Sequence, residues 1–376
     1  MRTLKLGMVG GGNGAFFGAA HRAAAAMTGR FSLVAGAFSS DPVRARESGN
    51  DLGLDPERCY ADFETMAQRE ATRDGIDLDL VAVVTPNHLH APACRAFLSA
   101  GINILCDKPL TATLDEALTL QKAAAGSTSL FGVTYTNAGF DMVREARAIV
   151  AAGEIGAVRL VRVAFPQEWL ATATEATGNK QAEWRTDPAR SGSGSLGDIG
   201  THAFHLVEFI TGLTATSLSA EVDTFVAGRR VDDNVTAKLR FAGGAKGLLW
   251  ASQVAIGETN GLRIDVHGDR GSLGWTVEAA NRLTFAPLGG RRMVIDRASH
   301  GTAFKGLMPP GHPQGFIEAL ARLYIDMAEQ IEARRDGRAP AADALLLPGI
   351  GDGVRGLRFV DAALRSGAED GRWTDI

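Results

Sequence analysis

Four short stretches of this chain concentrate residues that bind anions, move protons or polarise an oxygen. The first is Gly10-Gly11-Gly12-Asn13-Gly14-Ala15, which fits the spacing G-x-G-x-x-A between an apolar run and a helical pattern. In such a turn the first glycine allows a sharp reversal, and the second lets a pyrophosphate reach the backbone. The small last residue permits close helix–sheet packing, with amide N–H groups facing the anion. Gly10, Gly12, Asn13 and Ala15 are therefore candidates for holding a dinucleotide. The second and third stretches are Thr85-Pro86-Asn87-His88-Leu89-His90 and Cys106-Asp107-Lys108-Pro109, each just past a short apolar run. The fourth is Gly197-Asp198-Ile199-Gly200-Thr201-His202, where a carboxylate and an imidazole four residues apart share one face of a helix.

The elements needed to position these groups are legible as periodicity. Short β-branched runs at 4–9, 33–38, 80–85, 103–106 and 130–135 alternate with helical patterns at 16–27, 63–73, 89–100 and 114–125. Repeated βα units of this kind build a mostly parallel sheet whose strands are buried on both faces. Ligands in such sheets collect beyond the carboxyl ends of the strands, so Thr85, Pro86, Asn87, His90 and Lys108 should line the nicotinamide end of a dinucleotide crevice. About 20 residues past the fingerprint, an acid normally bonds the adenosine ribose of NAD. Here Ser39 and Ser40 come first, Asp41 stands late, and Arg44 is available to a 2′-phosphate, so NAD and NADP both stay open.

Past about residue 138 the rhythm changes. One more helix pattern, 142–152, precedes alternating segments at 158–165, 217–226, 235–241, 247–254, 263–267, 271–277 and 282–285. They read as a large, mainly antiparallel open sheet. A Gly/Ser-rich loop at 191–198 enters a helix over 199–210, and helices over 316–333 and 354–366 close the chain. The fold class is α/β, with a dinucleotide domain over 1–137 and a substrate and oligomerisation domain over 138–376.

Composition narrows the function. The 376 residues carry 39 basic and 43 acidic side chains, a formal net charge of −4, which supplies no drive toward nucleic acid or anionic lipid. No apolar run is long enough to span a bilayer, and residues 1–10 read as a first strand rather than a signal peptide. Cys59, Cys94 and Cys106, an odd number without C-x-x-C spacing, argue for plain thiols and a cytoplasmic protein.

Taken together, these motifs resemble the Gfo/Idh/MocA family of NAD(P)-dependent oxidoreductases over almost the whole chain. The family's Glu-Lys-Pro motif corresponds to Asp107-Lys108-Pro109, departing only at the acid. Its glycine-rich segment corresponds to Gly192-Ser193-Gly194-Ser195-Leu196-Gly197-Asp198-Ile199-Gly200-Thr201-His202, with Ser193 replacing a glycine. Trp184-Arg185 and Gly268…Gly271-Ser272-Leu273 are further family features. The resemblance implies a Rossmann domain followed by an α/β domain with a large open sheet, and substrate bound between the domains against the nicotinamide. It implies that Lys108, Asp198 and His202 carry the reaction. Oxidising a secondary alcohol requires a base for the hydroxyl proton and a cation near the developing alkoxide. His202 takes the first role and Lys108 the second, with Asp198 orienting substrate or His202. The expected substrate is a cyclic polyol or sugar, inositol- or pyranose-like, with Arg185 and His312 as further contacts. A homodimer or homotetramer through the second-domain sheet is also implied.

Each residue alone has a plainer account. A lysine before proline is usually a solvated turn residue, Asp198 would cap a helix, and His202 would pack within one. Arg185 would pair with Asp187 or Glu183, His88 and His90 would fill hydrogen bonds at a helix entry, and His312 would belong to a capping turn. Two other functions compete: a cofactor-binding sensor without turnover, and a metal site of Asp198, His202 and His205 in a sugar isomerase or hydrolase.

Overall fold

The computed structural model describes residues 2–73, 77–299, 306–309 and 311–376. The chain divides into two compact units, residues 1–139 with 316–354, and residues 140–315 with 355–376. This division returns residues 316–354 to the first unit, where a single cut at 137/138 would assign them to the second. Among the described residues no helix is long and apolar enough to cross a membrane.

The first unit opens with β1 (Leu4–Gly10), α1 (Phe16–Met27), β2 (Phe31–Ala37), α2 (Pro42–Asp51) and α3 (Phe63–Thr72). It continues with β3 (Leu80–Val84), α4 (His90–Ser99), β4 (Asn103–Cys106), α5 (Leu114–Ala125) and β5 (Phe131–Val133). The five strands form a parallel sheet in the order β2-β1-β3-β4-β5. Leu80, Val81, Ala82 and Val83 have no exposed surface, as expected of a strand covered on both faces. The order places β1 at the point where the chain changes direction across the sheet, so the glycine turn leaves β1 where a crevice opens. Helix α2 has no counterpart in the periodicity, yet its start is marked: Asp41 caps it and Pro42 occupies its first position.

The second unit contains α6 (Asp141–Ala151), β6 (Val158–Pro166), α7 (Lys180–Arg185) and α8 (Pro188–Ser191). A π-helical turn, Leu196–Gly200, then leads into α9 (Thr201–Thr211). Strands β7 (Ala215–Asp223), β8 (Asn234–Phe241), β9 (Lys246–Ser252), β10 (Arg263–Gly268), β11 (Gly271–Thr276), β12 (Arg282–Pro287) and β13 (Met293–Asp296) follow. With β14 (Thr374–Asp375) they make a nine-stranded sheet, β13-β12-β11-β10-β6-β9-β8-β7-β14, antiparallel except between β6 and β9. Burial alternates along its strands. Val161 and Leu249 are buried, whereas Leu160 and Leu248 on the other face are 55% and 54% exposed. That bare face holds a hollow of about 800 Å³ bordered by Arg162, Lys238, Leu248, Trp250 and Asp265.

After the second unit the chain returns to the first as α10 (Phe316–Arg335). Its buried Leu320, Leu323, Tyr324 and Met327 form one stripe, and Tyr324 reaches α1, its hydroxyl 2.8 Å from His21 Nδ1. The last helix, α11 (Ile350–Ala368), begins in the first unit and ends in the second.

Candidate active site

The glycine turn is built as its spacing requires. Gly10 and Gly11 adopt φ of +76° and +71°, the left-handed region that L side chains avoid. A Cβ on Gly12 would lie 2.7 Å from Ser48 Oγ and 3.0 Å from the Phe38 carbonyl, so the turn's inner wall stays bare backbone. No side chain caps α1 and its first turn carries no acid, which leaves a helix N-terminus suited to a phosphate. Asn13 is exposed, its N–H bonded to Ser48 Oγ at 3.0 Å and its amide donating to Asp51 Oδ2 at 2.7 Å. That ties the turn to α2.

Ala15 is the half-buried N-cap of α1, and a tight contact between helix and turn comes at Gly18, where a Cβ would lie 2.3 Å from both Cα and O of Gly11. A substitution there must displace either the helix or the turn. Gly18→Ala is expected to lower stability by about 1–3 kcal/mol, measured by urea unfolding, and to weaken NADH binding, measured by calorimetry. Unchanged values for both would show that the turn yields freely.

The ribose end carries no free acid at the expected place. Asp41 Oδ1 accepts the N–H groups of Val43 at 2.9 Å and Arg44 at 3.3 Å, so the late carboxylate is a helix cap. Ser39 Oγ accepts the Asp41 N–H at 3.1 Å, while Ser40 and Arg44 are exposed.

The loop after β3 lies against the glycine turn: a Cβ on Gly10 would meet Thr85 Cγ2 at 3.0 Å. Thr85 Oγ1 and His88 Nδ1 are buried without a hydrogen-bond partner. Buried polar atoms normally find partners, so these two fit a loop that receives a polar ligand. Pro86 is half-buried and Asn87 buried. His90 is buried and spans from this loop to the next, with Nε2 2.8 Å from the Thr85 carbonyl and Nδ1 2.9 Å from that of Pro109. Burial pushes its pKa below the ordinary value, against the pull of Asp107.

Lys108 is half-buried at the carboxyl end of β4, followed by a cis peptide to Pro109. Its N–H donates to Asp107 Oδ1 at 2.9 Å, and the same oxygen accepts the Thr134 hydroxyl at 2.6 Å. The shorter acid in place of glutamate therefore serves to fix the lysine backbone.

In the second unit the Gly/Ser loop is organised by Asp232, a buried acid that the motif reading passed over. It accepts the N–H of Gly194 at 2.7 Å, the N–H of Leu196 at 2.6 Å and the Ser195 hydroxyl at 2.9 Å. Burial still pushes its pKa up. The loop enters the π turn, and Asp198 lies inside that turn rather than capping a helix. Its Oδ2 accepts from Gln253 Nε2 at 2.9 Å and pairs with Arg185 Nε at 3.4 Å. Arg185 thus pairs with Asp198 rather than being confined to its neighbours. Asp187 caps α8 and pairs with Arg230, and the Arg185 guanidinium stacks over Trp184 at 4.2 Å. Gln253, buried just past β9, carried no signal in the sequence. His202 is half-buried one turn along, its ring edge-on to Phe165 at 6.2 Å.

His205 stacks on Phe209, and among the described residues no group of three His, Cys, Asp or Glu side chains is placed to hold a metal. The Asp198, His202 and His205 metal reading therefore finds no geometric support. His312 is exposed on a loop whose carbonyl accepts from Arg297 Nη1 at 2.6 Å; Arg297 also pairs with Asp141.

Both parts of the chain match known protein families. Residues 4–135 match the oxidoreductase family model for an NAD-binding Rossmann fold, and residues 143–274 match the GFO/IDH/MocA C-terminal domain. An uncharacterised oxidoreductase, YfiI of Bacillus subtilis, is 32% identical, covering 100% of this chain and 97% of the relative. Levoglucosan dehydrogenase of Pseudarthrobacter phenanthrenivorans is 28% identical over 100% and 99% of the two chains. An inositol dehydrogenase homologue from Azotobacter vinelandii, solved with NAD+, superposes with a TM-score of 0.93 at 37% identity, covering 100% and 98%.

Proposed function

The chain belongs to the Gfo/Idh/MocA oxidoreductases, with an NAD-binding Rossmann domain, and from that premise we propose that it oxidises a secondary hydroxyl of an inositol- or pyranose-like polyol. The observation that carries this reading is the Asp198 carboxylate held between Arg185 and Gln253 on the turn that leads to His202. A fixed carboxylate beside a guanidinium offers acceptors and donors together, which a substrate with several hydroxyls requires.

Each residue then has a task. His202 takes the proton of the reacting hydroxyl, a step imidazole performs near neutrality. Lys108 holds the oxygen as negative charge develops, its backbone kept in place by Asp107. Asp198 orients either the substrate or His202, and Arg185 and His312 bind other hydroxyls. The nicotinamide, when bound, supplies the hydride acceptor. Gly10, Gly12, Asn13 and Ala15 form its phosphate cradle, while Thr85, Pro86, Asn87 and His90 build the loop at its reactive end. Ser39, Ser40 and Arg44 face the ribose; the exposed Arg44 offers a 2′-phosphate a cation, while Asp41 serves as a helix cap. NAD is the expected cofactor, with NADP accepted beside it.

The test is turnover with NAD and NADP against myo-inositol, scyllo-inositol, levoglucosan and D-xylose, read as absorbance of the reduced nicotinamide. Tight NADH binding with no turnover on any of them would favour a sensor instead. Copies of the chain should also pair through the bare face around Leu160 and Leu248. Light scattering is expected to return a dimer or tetramer, and a monomer at micromolar concentration would refute the pairing.

A further inference from the structure

His90 has two hydrogen-bonding atoms and sets both against backbone carbonyls of different loops. Nε2 lies 2.8 Å from the Thr85 oxygen and Nδ1 2.9 Å from the Pro109 oxygen, with only 1% of the residue exposed. Carbonyl oxygens only accept, so the neutral ring donates its single N–H to one of them and holds its other nitrogen against the second, and only a protonated ring donates to both. Burial pushes the pKa below the ordinary value, against the pull of the nearby Asp107 carboxylate, so the neutral form with one donated bond is favoured.

The location gives the contact its meaning. The β3–β4 ladder ends with Val83 beside Cys106, and the last backbone bond across it runs from the Asp107 N–H to the Val83 carbonyl at 2.8 Å. Thr85 and Pro109 each lie two residues past that bond, where the two backbones no longer share a ladder. One of these loops carries Thr85, whose methyl lies beside Gly10 and whose buried hydroxyl has no partner, and the other carries Lys108. The imidazole bridges them where regular pairing stops.

We propose that His90 is a positioning residue, clamping the loop after β3 to the loop after β4 so that the dinucleotide and the Lys108 ammonium keep one fixed separation. This rests on the oxidoreductase reading of the same site. The clamp acts through the two carbonyls. A side chain of similar size with no donor loses the donated bond, and one with an amide donor keeps it. His90→Phe and His90→Gln separate those cases.

The experiment uses the full chain and three readouts: NADH affinity by calorimetry, thermal midpoint, and the rate with myo-inositol. His90→Phe is expected to weaken NADH about tenfold and to lower kcat about 10²-fold with KM for the polyol nearly constant, because a small misplacement of reacting groups is costly. His90→Gln should recover a large part of both losses. A fall in thermal midpoint in His90→Phe with NADH affinity unchanged would reduce His90 to a packing residue and overturn the clamp. Should His90→Phe not fold, His90→Asn decides, because its shorter amide cannot reach both carbonyls: a loss of about threefold in NADH affinity supports the clamp, and wild-type affinity overturns it. A wild-type chain that binds no NADH would sink both the clamp and the oxidoreductase reading. Normal NADH binding with turnover intact in Lys108→Ala would sink only the assignment of the lysine.

Discussion

Lys108→Ala is expected to lower kcat about 10³-fold, the scale on which removing one oxyanion-stabilising donor acts, with the thermal midpoint nearly unchanged. The lysine backbone is held by the bond from its own N–H to Asp107, and the following carbonyl lies against His90, so both anchors survive truncation of the side chain. What truncation removes is an ammonium that stabilises an oxygen more strongly as that oxygen becomes anionic. Lys108→Arg should restore little, since a planar guanidinium cannot take the place of a compact ammonium on a flexible stem. The measurement is steady-state oxidation over a range of polyol concentrations. A kcat within threefold of wild type would remove the lysine from the reaction.

His202→Gln should cost about 10²–10⁴-fold in kcat, the usual contribution of a positioned general base. It should also abolish the rise in kcat/KM with pH that an unprotonated base imposes. Glutamine approximates the imidazole in size and can still sit against Phe165, so the edge-on contact at 6.2 Å leaves packing largely intact. Partial rescue by added imidazole would identify the lost function as proton transfer rather than substrate binding. A pH–rate profile unchanged in shape would mean that another group accepts the proton, with Asp198 the first to examine, since it lies one turn before His202.

The Asp198 cluster shows how function was only half readable. Asp198 and His202 stood out because the spacing of four is local and has one geometric meaning in a helix. The π turn under Asp198 was not readable from that spacing. It arises where Asp232, more than thirty residues away, fastens Gly194, Ser195 and Leu196. Likewise Gln253 sits 55 residues from Asp198 in sequence and bonds it only because β9 ends beside the turn.

In the first unit, boundaries such as 16–27, 114–125 and 103–106 coincide with α1, α5 and β4, since periodicity and capping residues act over neighbouring positions. Asp41-Pro42 is a helix-start signal of the same local kind, and the acid serves as the cap of α2.

From sequence alone came the βα alternation, the glycine turn after the first strand, the antiparallel second sheet and the types of residue available for hydride chemistry. All of these are written in contiguous stretches, where backbone preference and hydrophobic period decide the outcome. Only the folded chain could place a close contact at Gly18, return Phe316–Arg335 to α1 through the His21–Tyr324 contact and make His90 a bridge. Those facts depend on which distant segments become neighbours, a matter of packing that local periodicity does not encode.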